Sequence, residues 1–402
     1  MKNIVKVLMT VLFAIVLSGC VGTPDAEGWR YGQRSDFLDI LKTDKYASIC
    51  NQKALYAQVK STKNSKLMSK LLVAYAQNLS NGCIDKRTLG EYGIYKQKVS
   101  ETDIKMKLKA GETIEQILKP YIPDFRQFDM LIAQYHLLKK NEDASAELLH
   151  KLRLNIERVK VMKPGLGNTY ALVNIPEYVI RVIENGKMAL TMKVIVGTRK
   201  NQTPIFSENL QYIVLNPTWN VPDSIARNEI IPKTLKNPGY LKSHRLVMRR
   251  DYDLTSPALS FNSVNPRAYV GGEGPVPFKF IEVPSNRNAL GRVKFIFPNR
   301  HSVYMHDTPS KHLFKRKVRS YSHGCVRLEN PKHMLKHIST NYTAHEYKAV
   351  KVKYDSKKTH YLQINKLLPV HTAYLTAYVD EKGKLALFDD IYSLDKSQRL
   401  NF

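Results

Sequence analysis

The apolar residues change their spacing near residue 163, and this change limits the folds open to the chain. Before it, from about Phe37 to Met162, they recur every three or four positions, which is typical of amphipathic helices. After it, runs such as Tyr170–Ile175 are short and rich in β-branched residues, which favours strands. We therefore predict an α+β protein, with a helical domain over residues 20–162 and a mainly β domain over residues 163–400.

Turn residues divide the predicted β domain into hairpins and one long interruption. Asn185-Gly186 lies between two strand-like runs and favours a two-residue hairpin turn. Further strand-like runs are Gln211–Asn216, Val293–Phe297 and Ser302–Met305. Between residues 220 and 290 the strand pattern weakens and prolines are frequent. We predict that this segment is an inserted binding loop or lid with little regular structure of its own.

The first residues have the pattern of an export signal. Lysines precede an apolar run that ends in small residues and is shorter than a membrane span requires. We predict that residues 1–19 are a signal peptide. The junction before Cys20 resembles the lipobox of bacterial lipoproteins, which implies a lipid anchor on Cys20; a plain signal peptide that happens to hold a cysteine is the alternative. Either signal predicts a periplasmic protein, and Val21 favours anchoring in the outer membrane.

Two short segments contain the residue types that nucleophilic acyl chemistry needs. One is Tyr304-Met305-His306-Asp307, the other is Ser322-His323-Gly324-Cys325, and fifteen residues separate His306 from Ser322. A thiol is a weak nucleophile until it loses its proton, so it requires an adjacent base, and the resulting imidazolium stabilises the thiolate. We predict that Cys325 is the nucleophile and that His306 is its general base.

Three further residues of these segments have predicted supporting roles. Gly324 lets the backbone turn tightly, so that the N–H groups of Gly324 and Cys325 can point at a developing oxyanion. His323 is a competing candidate for the base, but a residue two positions from the cysteine tends to point elsewhere, and we expect it to shape this loop. Asp307, through its carboxylate or its backbone carbonyl, is the candidate to orient the His306 imidazole.

The histidine, the spacer and the Ser-His-Gly-Cys sequence resemble the YkuD-type L,D-transpeptidase family. In that family the residue matching His306 is the base. The likeness covers the second half of the chain, including Asn216–Pro222. Arg327, two positions after the cysteine, resembles the arginine found there in the large Gram-negative branch. That branch has a substrate-capping subdomain after Trp-Asn-Val-Pro, which implies the same role for the insertion. Larger members also have a peptidoglycan-binding helical module, for which there is no room between Tyr135 and Asn155.

The resemblance implies a cysteine acyltransferase of the bacterial cell wall that uses no cofactor. Its donor is a tetrapeptide stem of peptidoglycan, attacked at the carbonyl of its third residue with loss of the terminal D-alanine. An amine of a second stem then resolves the thioester and forms a 3-3 cross-link. Carbapenems are expected to acylate Cys325. Resolution by water or by a protein amine gives the alternatives of an L,D-carboxypeptidase or a wall-to-protein attachment or cleavage enzyme; a noncatalytic wall-binding lipoprotein adaptor is the non-enzyme alternative.

Four side chains near the two segments or in the capping signature are candidate substrate contacts, namely Arg327, Ser322, Tyr304 and Trp219. Arg327 is suited to a substrate carboxylate, because a guanidinium pairs bidentately with such groups. A structural ion pair with an acid such as Glu329 or Asp390 is the alternative. Trp219 lines the cleft or, as aromatics in β proteins often do, belongs to the core.

The four cysteines of the chain can each be assigned a use. With Cys20 lipidated and Cys325 catalytic, Cys50 and Cys83 remain as a candidate disulfide, which suits an exported protein. Two buried thiols on neighbouring helices are the alternative. No metal site is predicted, since the histidines are spread along the chain and no CxxC motif is present.

The charge balance predicts anionic partners. Lysine and arginine number 63 against 35 aspartate and glutamate residues, a formal net charge of +28. Such a charge attracts the negative groups of the wall and of anionic membrane lipids. Nucleic acid is not expected as a partner of a protein that leaves the cytoplasm. The basic residues are scattered along the chain, so a solvated basic surface explains the charge equally well.

Overall fold

The computed structural model describes residues 23–94, 96–162 and 166–402. The predicted signal peptide and Cys20 lie outside the described residues, as does the Lys163-Pro164-Gly165 junction. The chain divides into two compact units. The first extends to Gly167 and takes in Tyr374–Phe402, and the second is Asn168–Ala373.

The first unit is helical, as the spacing of its apolar residues predicted. Its α-helices are Tyr31–Thr43, Lys53–Thr62, Ser65–Asn81, Glu101–Ala110, Ile114–Leu118, Arg126–Lys139, Ala146–Lys160 and Leu394–Ser397. Short 3-10 turns lie at Cys50–Gln52, Lys86–Thr88, Gly90–Ile94 and Lys119–Tyr121. The strands Ala377–Val379 and Leu385–Leu387 pair antiparallel. Side-chain caps fix where several helices begin: Asn64, Ser100, Thr113 and Ser145 each accept a hydrogen bond from an N–H of the first turn.

The C-terminal segment belongs to this helical unit, whereas the predicted β domain had included it up to residue 400. Asn155 binds both the backbone N–H of Thr376 (2.8 Å) and its hydroxyl (2.9 Å). Gln127 pairs with both backbone groups of Val379, at 2.9 and 2.6 Å. Buried amides must find such partners. These contacts join residues more than two hundred positions apart, so local pattern contains no sign of them.

A disulfide and a buried ion network fix the centre of the helical unit. Cys50 and Cys83 form a disulfide with Cα atoms 6.1 Å apart. Beside it, the Glu157 carboxylate binds Arg153 and Lys160, each at 2.9 Å. Burial lowers the pKa of Lys160 to about 8, although the Glu157 charge opposes this. In the described part of the chain, Cys50, Cys83 and Glu157 are the one cluster with metal-ligand atoms within 4.8 Å, but both sulfurs are used by the disulfide.

The second unit is built on an eleven-stranded mixed sheet. Its strands are β1 (Tyr170–Asn174), β2 (Val179–Glu184), β3 (Lys187–Gly197), β4 (Phe206–Asn209), β5 (Tyr212–Leu215), β9 (Val293–Ile296), β10 (Met305–His306), β11 (Ser320–Ser322), β12 (Val326–Leu328), β13 (His360–Gln363) and β14 (Pro369–Ala373). Their order is β13-β5-β9-β10-β12-β3-β2-β1-β14-β4, and β11 pairs with β3. The predicted hairpin is confirmed: Glu184 pairs with Lys187 across Asn185-Gly186, both of which have positive φ.

The second unit also contains helices. They are Asp223–Ile225, Ile231–Lys236, Tyr240–Ser243, Pro331–Tyr342 and Tyr347–Asp355, with a π-helical turn at Ala226–Ile230 and 3-10 turns at Phe261–Ser263, Pro266–Tyr269 and Lys311–Lys315. Asn330 caps the helix that begins at Pro331 by accepting from the N–H of His333. Within the described residues, no helix combines the length and apolar character that crossing a membrane requires.

The insertion over residues 220–290 is more ordered than its weak pattern predicted. Strands β6 (Trp219–Asn220), β7 (Leu246–Arg249) and β8 (Lys279–Glu282) form a small antiparallel sheet in the order β6-β8-β7. Its buried core consists of Val221, Ala226, Ile230, Ile231, Leu246, Met248, Val276, Phe278 and Phe280. Apolar residues that are scattered in the sequence of the insertion therefore come together in the folded chain. They form a separate core, which stabilises the lid.

We expect the Cys50–Cys83 disulfide to stabilise the helical unit by about 2–4 kcal/mol, because it closes a loop in the unfolded chain. The measurement is urea unfolding followed by Trp29 fluorescence in a Trp219→Phe background, where Trp29 is the remaining tryptophan and is buried in this unit. Cys50→Ser with Cys83→Ser is the test pair. Cys325→Ser, which leaves the bridge intact, is the matched control. A loss below about 1 kcal/mol in the double variant contradicts this role.

Candidate active site

Three adjacent strands place the central side chains of the site next to one another. His306 in β10 is in register with Lys294 on antiparallel β9 and with Arg327 on parallel β12. Residues that face each other across neighbouring strands point to the same face of the sheet. Lys294, His306 and Arg327 therefore form a row on one face, and Cys325 comes directly before β12 at its edge.

The His306 imidazole is buried and is held in one tautomer. Its Nδ1–H donates to the backbone carbonyl of Asp307, which leaves Nε2 as the acceptor nitrogen. Burial lowers the pKa of His306 to about 3, and the positive charges of Arg327 and Lys294 act in the same direction. The ring is therefore neutral at physiological pH, which is the protonation state that a general base requires.

The carbonyl of Asp307, and not its carboxylate, orients the imidazole, which decides between the two predicted options. The carboxylate accepts from the N–H groups of Arg292 (2.9 Å) and Thr308 (2.7 Å) and pairs with Lys311 at 2.8 Å. Gly291, at φ +60°, leaves room for this carboxylate, since any side chain there would collide with it. Asp307 thus fixes the local backbone whose carbonyl holds the ring.

The Cys325 thiol is protonated at rest. Burial raises its pKa, against the opposing effects of the Tyr304 N–H and hydroxyl and of the Lys294 and Arg327 charges. Its Sγ lies 3.9 Å from the carbonyl oxygen of Ser302. The thiol and the neutral imidazole line the same cavity, and such a thiol needs a base to take its proton before or as it attacks.

Hydrogen bonds within the loop from Ser322 to Cys325 set its backbone. The Ser322 hydroxyl donates to the Cys325 carbonyl (2.6 Å) and accepts from the Gly324 N–H (3.1 Å). Thr203 donates to the Gly324 carbonyl at 2.8 Å, and Gly324 has φ +114°. The prediction that the Gly324 N–H points at an oxyanion is therefore wrong, because Ser322 takes this donor. The Cys325 N–H remains as the backbone candidate.

Tyr304 and Lys294 complete the surroundings of the thiol. The Lys294 ammonium lies 4.0 Å from the centroid of the Tyr304 ring, and the Tyr304 and His306 rings meet edge to face at 5.6 Å. Burial raises the pKa of Tyr304 well above its usual value, so the hydroxyl keeps its proton. Lys294 was missed from the sequence; the strand that contains it was predicted, but its register against His306 was not.

These side chains line a cavity of about 660 Å³. Of the predicted site residues, it contains Cys325, His306, Tyr304, Ser322, His323, Arg327 and Trp219; Gly324 and Asp307 do not line it. Residues that the sequence did not indicate also line it, including Lys294, Glu229, Tyr252, Ser302 and Tyr361. A second cavity of about 430 Å³ shares with it the wall formed by Trp219, Glu229, Ala289 and Arg327.

Arg327 has the properties of an anion-binding side chain. Burial lowers the pKa of its guanidinium, and its buried Nε has no hydrogen-bond partner among the described residues. The acids considered as alternative partners are engaged elsewhere: Glu329 lies 3.7 Å from Lys193, and Asp390 accepts from Tyr374 at 2.7 Å. A buried guanidinium with a free donor favours a ligand carboxylate.

Trp219 and Glu229 are among the lid residues that line the same cavity. Trp219 is half-buried, packs against the lid core and lines both cavities, so the two predicted roles of this side chain are combined. Glu229, in the π-helical turn, pairs with Nε2 of His323 at 2.8 Å. The arrangement can bind a peptide beneath the lid and present a carbonyl carbon to a thiol with a neutral base beside it.

Comparisons with known proteins give a family for most of the second unit. Residues 168–352 match the family model described as YkuD, the L,D-transpeptidase catalytic domain. A Haemophilus influenzae protein named "Putative L,D-transpeptidase" is 30% identical over 259 residues, which is 63% of this chain and 50% of that protein. The chain thus spans about half the length of this relative.

Solved structures of similar proteins include the L,D-transpeptidase from Mycobacterium smegmatis, with 13% identity, a TM-score of 0.22, and coverage of 51% of this chain and 58% of that one. L,D-transpeptidase 3 from Mycobacterium tuberculosis has 11% identity and a TM-score of 0.23, with coverage of 51% and 60%. The assignment rests on the sequence match. Residues 168–352 of this chain belong to the YkuD L,D-transpeptidase catalytic-domain family.

Proposed function

We propose that the protein is a peptidoglycan L,D-transpeptidase that forms 3-3 cross-links through a thioester on Cys325. The observation that supports this most directly is that a protonated thiol and a buried neutral imidazole line one cavity of about 660 Å³, a volume that can hold a peptide. A nucleophile and a base of this kind suit acyl transfer, in which one amide bond is exchanged for another.

The first half-reaction is acylation by a tetrapeptide stem. The Cys325 sulfur attacks the carbonyl carbon of the third stem residue, and Nε2 of His306 takes the thiol proton. The Cys325 N–H and the Tyr304 hydroxyl are the candidate donors to the oxyanion, each contributing on the order of 3 kcal/mol to such a transition state. As the intermediate collapses, the imidazolium returns its proton to the leaving amine, and D-alanine departs.

The second half-reaction transfers the acyl group to an amine of another stem. The amine attacks the thioester carbonyl and gives up a proton to His306, and the Cys325 thiolate leaves and is reprotonated. One peptide bond has been broken and one formed, so the reaction requires neither a nucleotide nor a redox cofactor. The side-chain amine of diaminopimelate is the proposed acceptor.

Arg327 and the lid are proposed to hold the donor. The Arg327 side chain lines the cavity, where a carboxylate of the stem can accept from the guanidinium. Trp219, Tyr304 and Ser322 supply further surface around the acyl group. Positive charge on the chain favours approach to the anionic wall, and a lipid on Cys20 is proposed to keep the enzyme at the periplasmic membrane surface.

Incubation of the protein with a disaccharide-tetrapeptide tests this function, with products identified by mass spectrometry. The expected product is a dimer lacking one D-alanine, formed by the native chain and not by Cys325→Ala. Tripeptide and D-alanine without dimer would mean that water resolves the thioester, as in an L,D-carboxypeptidase. Identical dimer yields from both chains would contradict catalysis by Cys325.

The pH dependence of acylation provides a second test. Because the pKa of His306 is lowered to about 3 and that of Cys325 is raised, neither group changes charge between pH 5 and pH 8. We expect the second-order rate constant for acylation by imipenem to vary less than about twofold over this range. The adduct is measured by intact mass, with Cys325→Ala as the control for hydrolysis of the drug. A more than tenfold fall from pH 7 to pH 5, as an ordinary histidine of pKa about 6.5 would produce, contradicts the buried-base description.

A further inference from the structure

The Glu229 carboxylate joins the lid to the segment Ser322–Cys325, which is called the nucleophile loop. Glu229 uses its two oxygens on two different partners: Oε1 accepts from Nε2 of His323 at 2.8 Å, and Oε2 accepts from Lys233 at 2.9 Å. His323 lies between Ser322 and Gly324, two residues before Cys325. The contact therefore joins the inserted element to the loop on which the proposed chemistry depends.

Glu229 is held in place from the lid side by its own surroundings. It lies in the π-helical turn Ala226–Ile230, whose Ala226 and Ile230 belong to the buried lid core. In the same turn, the Arg227 guanidinium donates to the carbonyl oxygens of Gly271, Gly274 and Pro275 at 3.0 to 3.1 Å. Because the lid core and the Arg227 guanidinium fix this turn, the Glu229 carboxylate is already in position to accept from His323.

His323 is fixed on the other side by the loop itself. The flanking Ser322 and Gly324 are tied by the Ser322 hydroxyl and by Thr203, so the backbone on both sides of His323 is set. Its imidazole is about half exposed and has Glu229 as its ion-pair partner. Burial raises the pKa of Glu229, but the hydrogen bond and charge of Lys233, and then those of His323, outweigh this and keep the carboxylate ionised.

We propose that Glu229 is a positioning residue, which holds His323 from the closed lid and thereby couples lid position to the geometry of the Cys325 loop. The inference rests on the proposed acyl transfer at Cys325. It assigns His323 a partner outside its own motif and gives the insertion a part in aligning the nucleophile, besides covering the substrate. Since both side chains of the pair are partly exposed, the contact is weak enough to break when the lid opens.

A double-mutant cycle on Glu229 and His323 tests this coupling. Acylation of Cys325 by imipenem is followed by intact mass in the native chain, Glu229→Ala, His323→Ala and the double variant. We expect Glu229→Ala to slow acylation about fivefold, the scale of one exposed ion pair, and to have no further effect once His323 is alanine. Glu229→Gln, which keeps an acceptor oxygen, should stay within about twofold of the native rate.

Lys233→Gln is the matched control, because it removes the other partner of the same carboxylate and leaves the His323 contact. Its acylation rate should equal that of the native chain, and the urea midpoints of all variants show whether the lid is folded. Multiplicative effects of the two alanine variants, or equal losses in Glu229→Gln and Glu229→Ala, overturn the coupling and leave the proposed function intact. If the native chain itself forms no adduct, the proposed function fails and the coupling fails with it.

Discussion

Desolvation of the thiol and imidazole is the constraint on which the rest of the site depends. Burial opposes the charged form of both groups, so Cys325 and His306 rest as a neutral pair. The row formed by β9, β10 and β12 adds Lys294 and Arg327, which favour a thiolate and disfavour an imidazolium. Charge therefore develops only as the bond to the substrate forms. The Asp307 carbonyl has one task in this arrangement, which is to keep Nε2 available as the proton acceptor.

The inserted lid is a separate structural element that contributes residues to the site. Because the insertion has a buried core of its own, we expect it to act as one body whose contacts with the rest of the unit form or break together. Trp219 and Glu229 both belong to this element, and both line the wall shared by the two cavities. In the proposed coupling, a lid movement that admits a peptide also changes the surroundings of the nucleophile loop.

Much of this organisation was readable from the sequence, and the remainder depends on long-range contacts. Periodicity predicted the helical and β halves, and the spaced histidine and Ser-His-Gly-Cys segment predicted which side chains meet in the cavity. The strand register could not be predicted from the sequence. Lys294 faces His306 because β9 and β10 pair at that position, and no local sequence pattern indicates this pairing. The Gly324 N–H was misassigned because Ser322, two residues away, competes for it. Likewise, Glu229 and His323 are far apart in the sequence, and no local pattern indicates that they meet.

The central claim is that the acyl group passes through a covalent bond to Cys325, and trapping that bond tests it most directly. The native chain is mixed with a tetrapeptide donor in the absence of an acceptor, quenched in acid, digested and mapped by mass spectrometry. The account predicts an adduct of the tripeptide acyl group on the peptide that contains Cys325, which disappears on treatment with hydroxylamine. An adduct on another residue, or turnover of the donor without any adduct and with equal rate in Cys325→Ala, would contradict it.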